Sequence, residues 1–165
     1  MLEAGWPSDV RLGAVSQARR IEFGILSCGI DMTPAETPYE LGLERLVELD
    51  KPADFIGKAR LAALKDMPVT RRLIGLTVTG DRLSPNEDLW PLYRRGRPVG
   101  LITSLTFSPG LKQNIALGLV EAACAAPGQR RTADAWTGTR DALGTALPFV
   151  PKRQYAGTAR STPPG

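Results

Sequence analysis

The sequence predicts an α+β protein in which a helical and irregular first region leads into a small closed antiparallel β-barrel or sandwich. Three observations support this prediction. Glycine and proline contribute 17 and 14 of the 165 residues, an excess that favours short strands with many turns over long helices. Apolar residues make up 42% and charged residues 23%, which is a globular balance. Apolar and polar residues alternate through much of the second half of the chain.

The first region, residues 1–68, combines helical and irregular signals. Residues 33–36 (TPAE) predict a capping box with proline at the first helical position. A second proline follows two residues later and limits this segment to one helical turn, because the residue before a proline avoids helical geometry. Residues 42–50 predict a half-buried strand. Asp54 predicts the N-cap of a helix over residues 55–65, which the next proline ends.

The second region has the period-2 alternation that is typical of strands. Small residues on one face of NIALGLV would let a second backbone or sheet approach closely. Five or six short strands are expected, with glycine and proline at the turns. The predicted elements are strands at 72–80 and 114–120, a hairpin over 90–104 that turns at Arg95-Gly96, and two further strands near 133–139 and 146–150.

A composition shift near Met67-Pro68 predicts the one domain boundary. We expect a first unit at residues 1–68, a barrel at residues 69–155, and a disordered polar tail at residues 156–165.

Composition excludes several classes of function. The chain contains no histidine, which removes histidine-based acid–base chemistry, Ser-His-Asp triads and the commonest metal ligand. Cys28 and Cys124 fit neither a metal site nor a disulfide framework, so buried thiols are expected. The net charge of +4 suits an anionic ligand, but aromatic and basic residues do not alternate, and no nucleic-acid partner is expected.

The sequence also bears on location. It contains no run of about 18 apolar residues, so no membrane span is expected. The N-terminus lacks the basic-then-apolar layout of a signal peptide. We therefore expect a cytoplasmic protein without a membrane partner.

Taken one at a time, the polar motifs have ordinary structural interpretations. Arg19 and Glu22 could form a surface ion pair at i, i+3, worth a few tenths of a kcal/mol. Asp31 after a glycine fits a turn. The basic run at 94–97 fits a solvated hairpin tip. Hydroxyl side chains at 103–108 usually satisfy backbone groups at strand ends.

Together, however, the motifs form two ordered blocks. The first is RRIEFGILSCGIDMTPAETPYELGL followed by LDKPADFIGKARL, which contains R-x-E-x-G, G-x-D, P-x-E-x-G-L and D-K-x-x-D-F-I-G-K. The second is VGLITSLTFSPGLKQNIALGLV, with LPFVPKRQY closing the match. Over about residues 11–155 this succession resembles the aminomethyltransferase superfamily. That superfamily includes the glycine-cleavage T-protein, dimethylglycine and sarcosine dehydrogenases, and the folate-dependent demethylases related to dimethylsulfoniopropionate demethylase.

The resemblance implies a remnant of a folate-binding domain before residue 68 and the family's C-terminal β-barrel after it. It implies tetrahydrofolate-dependent transfer of an aminomethyl or methyl group from a small amine or sulfonium donor. It places Arg20 in the folate cavity, with Glu22 and Asp31 supporting the polar framework and Tyr155 closing the site. It assigns no catalytic or metal-binding residue to this sequence.

The sequence departs from the family in two respects. Cys28 stands where the family often has tyrosine. In addition, nothing here matches the N-terminal portion that supplies most of the cavity and the catalytic aspartate. We therefore expect the chain to be inactive alone, as a fragment, a mis-called start or one half of a split enzyme with a separate N-terminal half as partner. Alone, residues 21–49 would expose apolar surface and tend to associate.

Two alternatives stay open. The chain could be a non-catalytic folate-binding or partner-binding module of the same superfamily. It could instead be the terminal section of a flavin-linked dimethylglycine or sarcosine dehydrogenase.

Overall fold

Six antiparallel strands close into a barrel in the computed structural model, which describes residues 16–135 and 138–151. Around the barrel the strand order is β1-β4-β3-β2-β5-β6, and pairing of β6 with β1 closes it. The predicted antiparallel barrel is confirmed. The strands are β1 (Arg71–Val78), β2 (Trp90–Arg94), β3 (Arg97–Ser108), β4 (Gln113–Glu121), β5 (Arg130–Ala135) and β6 (Gly138–Thr145).

Alternating side chains fill the barrel interior. On β1 the inward residues are Ile74, Leu76 and Val78, as the period-2 pattern predicts. They join a buried cluster contributed by every strand, which includes Trp90, Leu92, Val99, Ile102, Leu105, Ala116, Val120, Ala133 and Ala142.

The β2–β3 hairpin turns where the sequence predicts. Arg95 and Gly96 both have positive φ, 52° and 76°, which is the backbone of a two-residue hairpin turn that matches strand twist. The register shifts by one residue between Leu92 and Tyr93, so Trp90 on β2 pairs with Ile102 on β3.

Two glycines allow neighbouring strands to pack without a side chain between them. A Cβ at Gly100 of β3 would collide with the carbonyl oxygen of Leu119 and lie 2.7 Å from the Cα of Val120. A Cβ at Gly118 of β4 would lie 2.9 Å from the carbonyl oxygen of Leu101. Small residues on β4 do permit close approach of a second backbone, as expected.

The first region packs on the outside of the barrel through a short helix, α1 (Gln17–Glu22). The Ser16 hydroxyl caps α1 by accepting from the backbone N–H of Arg19. Ile21 of α1 is fully buried against Ile115 and Leu117, which lie on the outer face of β4. The outer wall of the barrel is therefore apolar where α1 covers it.

Two predictions in the first region are wrong. Residues 42–50 form no strand; they contain a turn of 3-10 helix at Glu44–Leu46, closed by local backbone bonds, and no strand lies alongside to complete a ladder. The second helix, α2 (Lys58–Lys65), begins three residues late, because Gly57 has a φ of 90° that interrupts helical geometry. Asp54 caps only the N–H of Phe55.

The prediction of a strand at 146–150 is also wrong, since β6 ends at Thr145. The backbone N–H groups of Phe149 and Val150 donate to the carbonyl oxygen of Glu22 in α1 and not to a strand. The strand predicted at 133–139 is displaced, because β5 ends at Ala135 and β6 begins at Gly138.

Other expectations can be checked only in part. Cys124 is buried as expected, whereas Cys28 is exposed, and both are free. In the described ranges no helix is long and apolar enough to cross a bilayer. The tail and Tyr155 lie outside those ranges, and the division of the chain into units at residue 68 stays a prediction.

Candidate functional site

The turn after α1 brings Arg20 and Asp31 together. Gly24 and Gly29 have positive φ values of 65° and 83°, so the chain reverses twice within a few residues. The Arg20 Nη1 lies 2.5 Å from the Asp31 Oδ2, and the two side chains are 13% and 0% exposed. The pair is almost entirely removed from water.

Neighbouring groups satisfy both charges, as a buried pair requires. Arg20 donates from Nη2 to the Ser104 hydroxyl at 2.8 Å and from Nη1 to the carbonyl oxygen of Ile25 at 2.9 Å. Asp31 accepts from the Thr103 hydroxyl at 2.6 Å and from the N–H of Ser27 at 2.8 Å. We call these contacts the Arg20–Asp31 network.

A β-bulge lets β3 contribute two successive residues to this network. Consecutive strand residues ordinarily face opposite sides of a sheet. The β3–β4 register shifts between Ile102 and Ser104, so Thr103 is the extra residue. The bulge redirects its side chain, and Thr103 and Ser104 both reach the same ion pair.

Glu22 is held by the end of the same strand. It is 4% exposed, and its Oε1 accepts from the Ser108 hydroxyl at 2.5 Å. The N–H of Leu111 donates to that hydroxyl in turn. The interpretation of Glu22 as half of a surface ion pair is therefore wrong, because its carboxylate is buried at the contact between α1 and the barrel.

The hydroxyls of β3 also act differently from expectation. Thr103, Ser104 and Ser108 bind the charged side chains of α1 and its turn and are not confined to backbone groups. The sequence shows the run of hydroxyl residues at 103–108 and, separately, the R-x-E motif of Arg20 and Glu22. Only the fold shows that the two contact each other.

Sequence reasoning missed a second connection, at Arg71. Residues 33–36 and 37–40 (TPAE and TPYE) form two successive capping boxes, in which Glu36 and Glu40 each accept from the N–H and hydroxyl of the threonine three residues earlier. Arg71 at the start of β1 donates to both carboxylates, at 3.3 and 3.4 Å. One cation therefore fixes two turns against the barrel.

The Glu36 carboxyl should titrate below the usual range for glutamate. Hydrogen bonds from Thr33 are the largest cause of its lowered pKa, and Arg71 lowers it further against the effect of burial. Since the folded pKa is depressed, its stabilisation is present above the unfolded-state pKa and is lost as pH falls through the folded pKa. Carboxyl NMR of the wild type against Thr33→Val should show the Glu36 midpoint moving upward in the variant. An unchanged midpoint would contradict this.

The geometry limits what Arg20 can do for a ligand. Guanidinium carries five N–H groups, and four of them are used by Gln17, Ile25, Asp31 and Ser104. One Nη2 N–H of Arg20 remains without an acceptor among the residues described. Asp31 is acceptor-only when ionised, and both of its oxygens are engaged. The same part of the chain holds no group of acidic, cysteine or histidine side chains that could bind a metal.

Two of the cavities that involve the first region lie away from this network. One, of about 630 Å³, is lined by residues that include Tyr39, Glu48 and Lys65. The other, of about 640 Å³, is lined by residues that include Phe55 and Leu61. Neither is lined by the predicted cofactor-binding residues.

The expectation of exposed apolar surface over residues 21–49 holds only in part. Ile21 and Leu41 are buried, whereas Ile25, Ile30 and Leu46 are exposed. The apolar residues that α1 carries onto the barrel are covered, and those in the turns beyond it face solvent.

Comparison with known proteins gives one family. Residues 71–151 match the model described as the glycine cleavage T-protein C-terminal barrel domain. The dimethylsulfoniopropionate demethylase of Ruegeria pomeroyi is 39% identical over 128 residues, covering 78% of this chain and 34% of that protein. An aminomethyltransferase of Synechocystis sp. is 40% identical over 110 residues, covering 67% and 29%.

A solved structure agrees with the sequence matches. The aminomethyltransferase T of the glycine cleavage system from Bartonella henselae aligns with a TM-score of 0.70 and 27% identity, over 81% of this chain and 37% of that one. The chain spans about a third of the length of the curated relatives it matches.

Proposed function

We propose that the chain is the C-terminal portion of a tetrahydrofolate-dependent one-carbon transferase or demethylase, because its barrel, residues 71–151, matches the glycine cleavage T-protein C-terminal barrel domain. The 128 residues aligned with the demethylase are more than residues 71–151 contain. The similarity therefore extends beyond the barrel, into residues outside the family match.

The observation that carries the proposal is the Arg20–Asp31 network. A buried cation is expensive unless its partners are fixed, and here they hold Arg20 in one position on the outer wall of the barrel. We assign Arg20 to the rim of a folate cavity, where its remaining N–H can donate to the cofactor. Glu22 and Asp31 act as positioning residues. Tyr155 is assigned to the same cavity on the family resemblance alone.

The rest of the cavity belongs to a partner portion in this proposal. The described part of the chain offers a single spare donor at Arg20, and the carboxylate beside it, Asp31, is already engaged by Arg20, Ser27 and Thr103. Such a wall neither excludes water nor orients a one-carbon donor. The proposed setting is cytoplasmic, with an N-terminal folate-binding portion and a small donor molecule as partners.

The chain alone should neither turn over nor tightly bind tetrahydrofolate, but it should complete an enzyme when the missing wall is supplied. The test mixes it with the N-terminal portion of the Ruegeria pomeroyi demethylase and tetrahydrofolate. Dimethylsulfoniopropionate and an aminomethyl donor are supplied in separate arms. Formation of methyl- or methylene-tetrahydrofolate is measured by mass spectrometry. Turnover only in the mixture is expected.

Other outcomes of this experiment are equally informative. Tight folate binding or turnover by the chain alone would overturn the incomplete-wall proposal. Binding without turnover in every mixture would favour the non-catalytic module. Within an active mixture, Arg20→Lys should raise KM for tetrahydrofolate, whereas Arg97→Gln, which alters only an exposed ion pair with Glu121, should not. Thermal unfolding of each variant separates folding defects from binding.

A further inference from the structure

Arg131 is a buried cation inside the barrel. The Arg20–Asp31 network, in contrast, lies on the outer wall. Arg131 shares the inward face of β5 with Ala133 and Ala135, since alternate strand residues face the same side. It is 2% exposed. Charged groups this deeply buried are normally paired, because the cost of removing them from water is high.

The guanidinium of Arg131 lacks such a partner in the described residues. Its Nη1 donates to the carbonyl oxygen of Gln129 at 2.9 Å. Its Nε and Nη2 are buried without a hydrogen-bond partner, as is the side-chain oxygen of Gln129. Desolvation lowers the pKa of Arg131, and the charge of Arg94 lowers it further, against an opposing effect of Cys124.

A second cation faces the same end of the barrel. Leu92 and Tyr93 of β2 pair with Ala133 and Thr132 of β5, and continuing this register places Arg94 opposite Arg131. The Arg94 Nη1 donates to the buried Cys124 Sγ at 3.8 Å.

The described residues around Arg131 accommodate its guanidinium but place no carboxylate against it. Arg97 takes the nearby carboxylate of Glu121. Gly144 of β6 accommodates the Arg131 guanidinium, since a Cβ there would lie 2.8 Å from the Arg131 Nη1. The result is a pair of arginines at one barrel end with an unused guanidinium edge.

We propose that this end of the barrel binds a small oxyanion through the Nε–Nη2 edge of Arg131, with Arg94 supplying the second positive charge. That edge of guanidinium donates two parallel hydrogen bonds and matches the two oxygens of a carboxylate or phosphate. Binding would satisfy both unpartnered nitrogens at once. The inference is independent of the one-carbon transfer proposed above and concerns residues that take no part in it.

The full chain tests this by titration at constant ionic strength. Inorganic phosphate and sodium acetate are used in separate arms, with binding followed by calorimetry and stability by thermal unfolding. The wild type should bind at least one of them saturably and gain about 2–4 °C in Tm for each kcal/mol of binding linkage. Arg131→Met should weaken binding at least tenfold. The matched control is Arg130→Gln, which removes the same charge from the adjacent exposed position and should bind like the wild type.

A further variant separates a loss of anion binding from a loss of folding. Arg131→Lys keeps a charge but loses the two-pronged edge, so it should also bind more weakly. Arg131→Met without anion should be as stable as the wild type or more so, because an apolar residue replaces an unpaired buried charge. Absence of saturable binding by the wild type would overturn the proposal even if every variant failed to fold. Equal affinity in Arg131→Met would overturn it too.

Discussion

Asp31→Ala should lower the free energy of unfolding by about 3–5 kcal/mol, because it leaves the charge of Arg20 buried without its carboxylate. It also removes the acceptor for the Thr103 hydroxyl and for the N–H of Ser27. The measurement is equilibrium unfolding in urea, followed by circular dichroism. Residues 16–31 should separate from the barrel before the barrel itself unfolds.

Two further variants show whether the effect comes from the buried charge. Arg97→Gln breaks the exposed pair with Glu121 and should cost less than about 1 kcal/mol. The double variant Arg20→Met with Asp31→Leu removes both charges and should recover much of the loss. A cost for Asp31→Ala as small as that for Arg97→Gln would show that the network contributes little to stability.

Gly100→Ala should be the most destabilising glycine-to-alanine substitution in the barrel. We expect it to lower the free energy of unfolding by about 3 kcal/mol or more, at the upper end for overpacking. The added Cβ meets the backbone of Leu119 and Val120 on the paired strand, and backbone moves less readily than a side chain. Urea unfolding measures the loss, and amide exchange should show weaker protection where β3 meets β4.

The matched control for this substitution is Gly110→Ala. It adds the same methyl where the nearest atoms are a side-chain oxygen of Glu22 at 3.8 Å and the Ser108 hydroxyl at 4.0 Å. Little change is expected there. A loss at Gly100 as small as the one at Gly110 would mean that the β3–β4 contact is looser than the structure shows.

The barrel was predictable because the alternation of apolar and polar residues is a local signal, which strands such as β1 carry in the sequence. Leu76 and its neighbours show it plainly, and Arg95-Gly96 supplies the turn chemistry. Residues 42–50 carry a similar but weaker pattern, and no strand lies beside them to complete the ladder. Pairing is a property of the whole fold, so local sequence predicts a strand's tendency and not its partner.

The candidate site was predictable in its members but not in its contacts. The family resemblance singled out Arg20, Glu22 and Asp31. Their partners on β3 lie far along the chain, and the bulge at Thr103 decides which hydroxyls face them. The role of Arg71 could not be predicted for the same reason. Glu36 and Glu40 come within reach of Arg71 only when β1 is placed in the barrel.

The covering of the outer wall by α1 has a consequence for anyone who would excise the barrel at residue 71. Such a piece would bare Ile115 and Leu117 to water and strip the hydroxyls of Ser104 and Ser108 of their ionic partners. A barrel cut out of this chain should therefore keep α1, so that its outer wall stays covered.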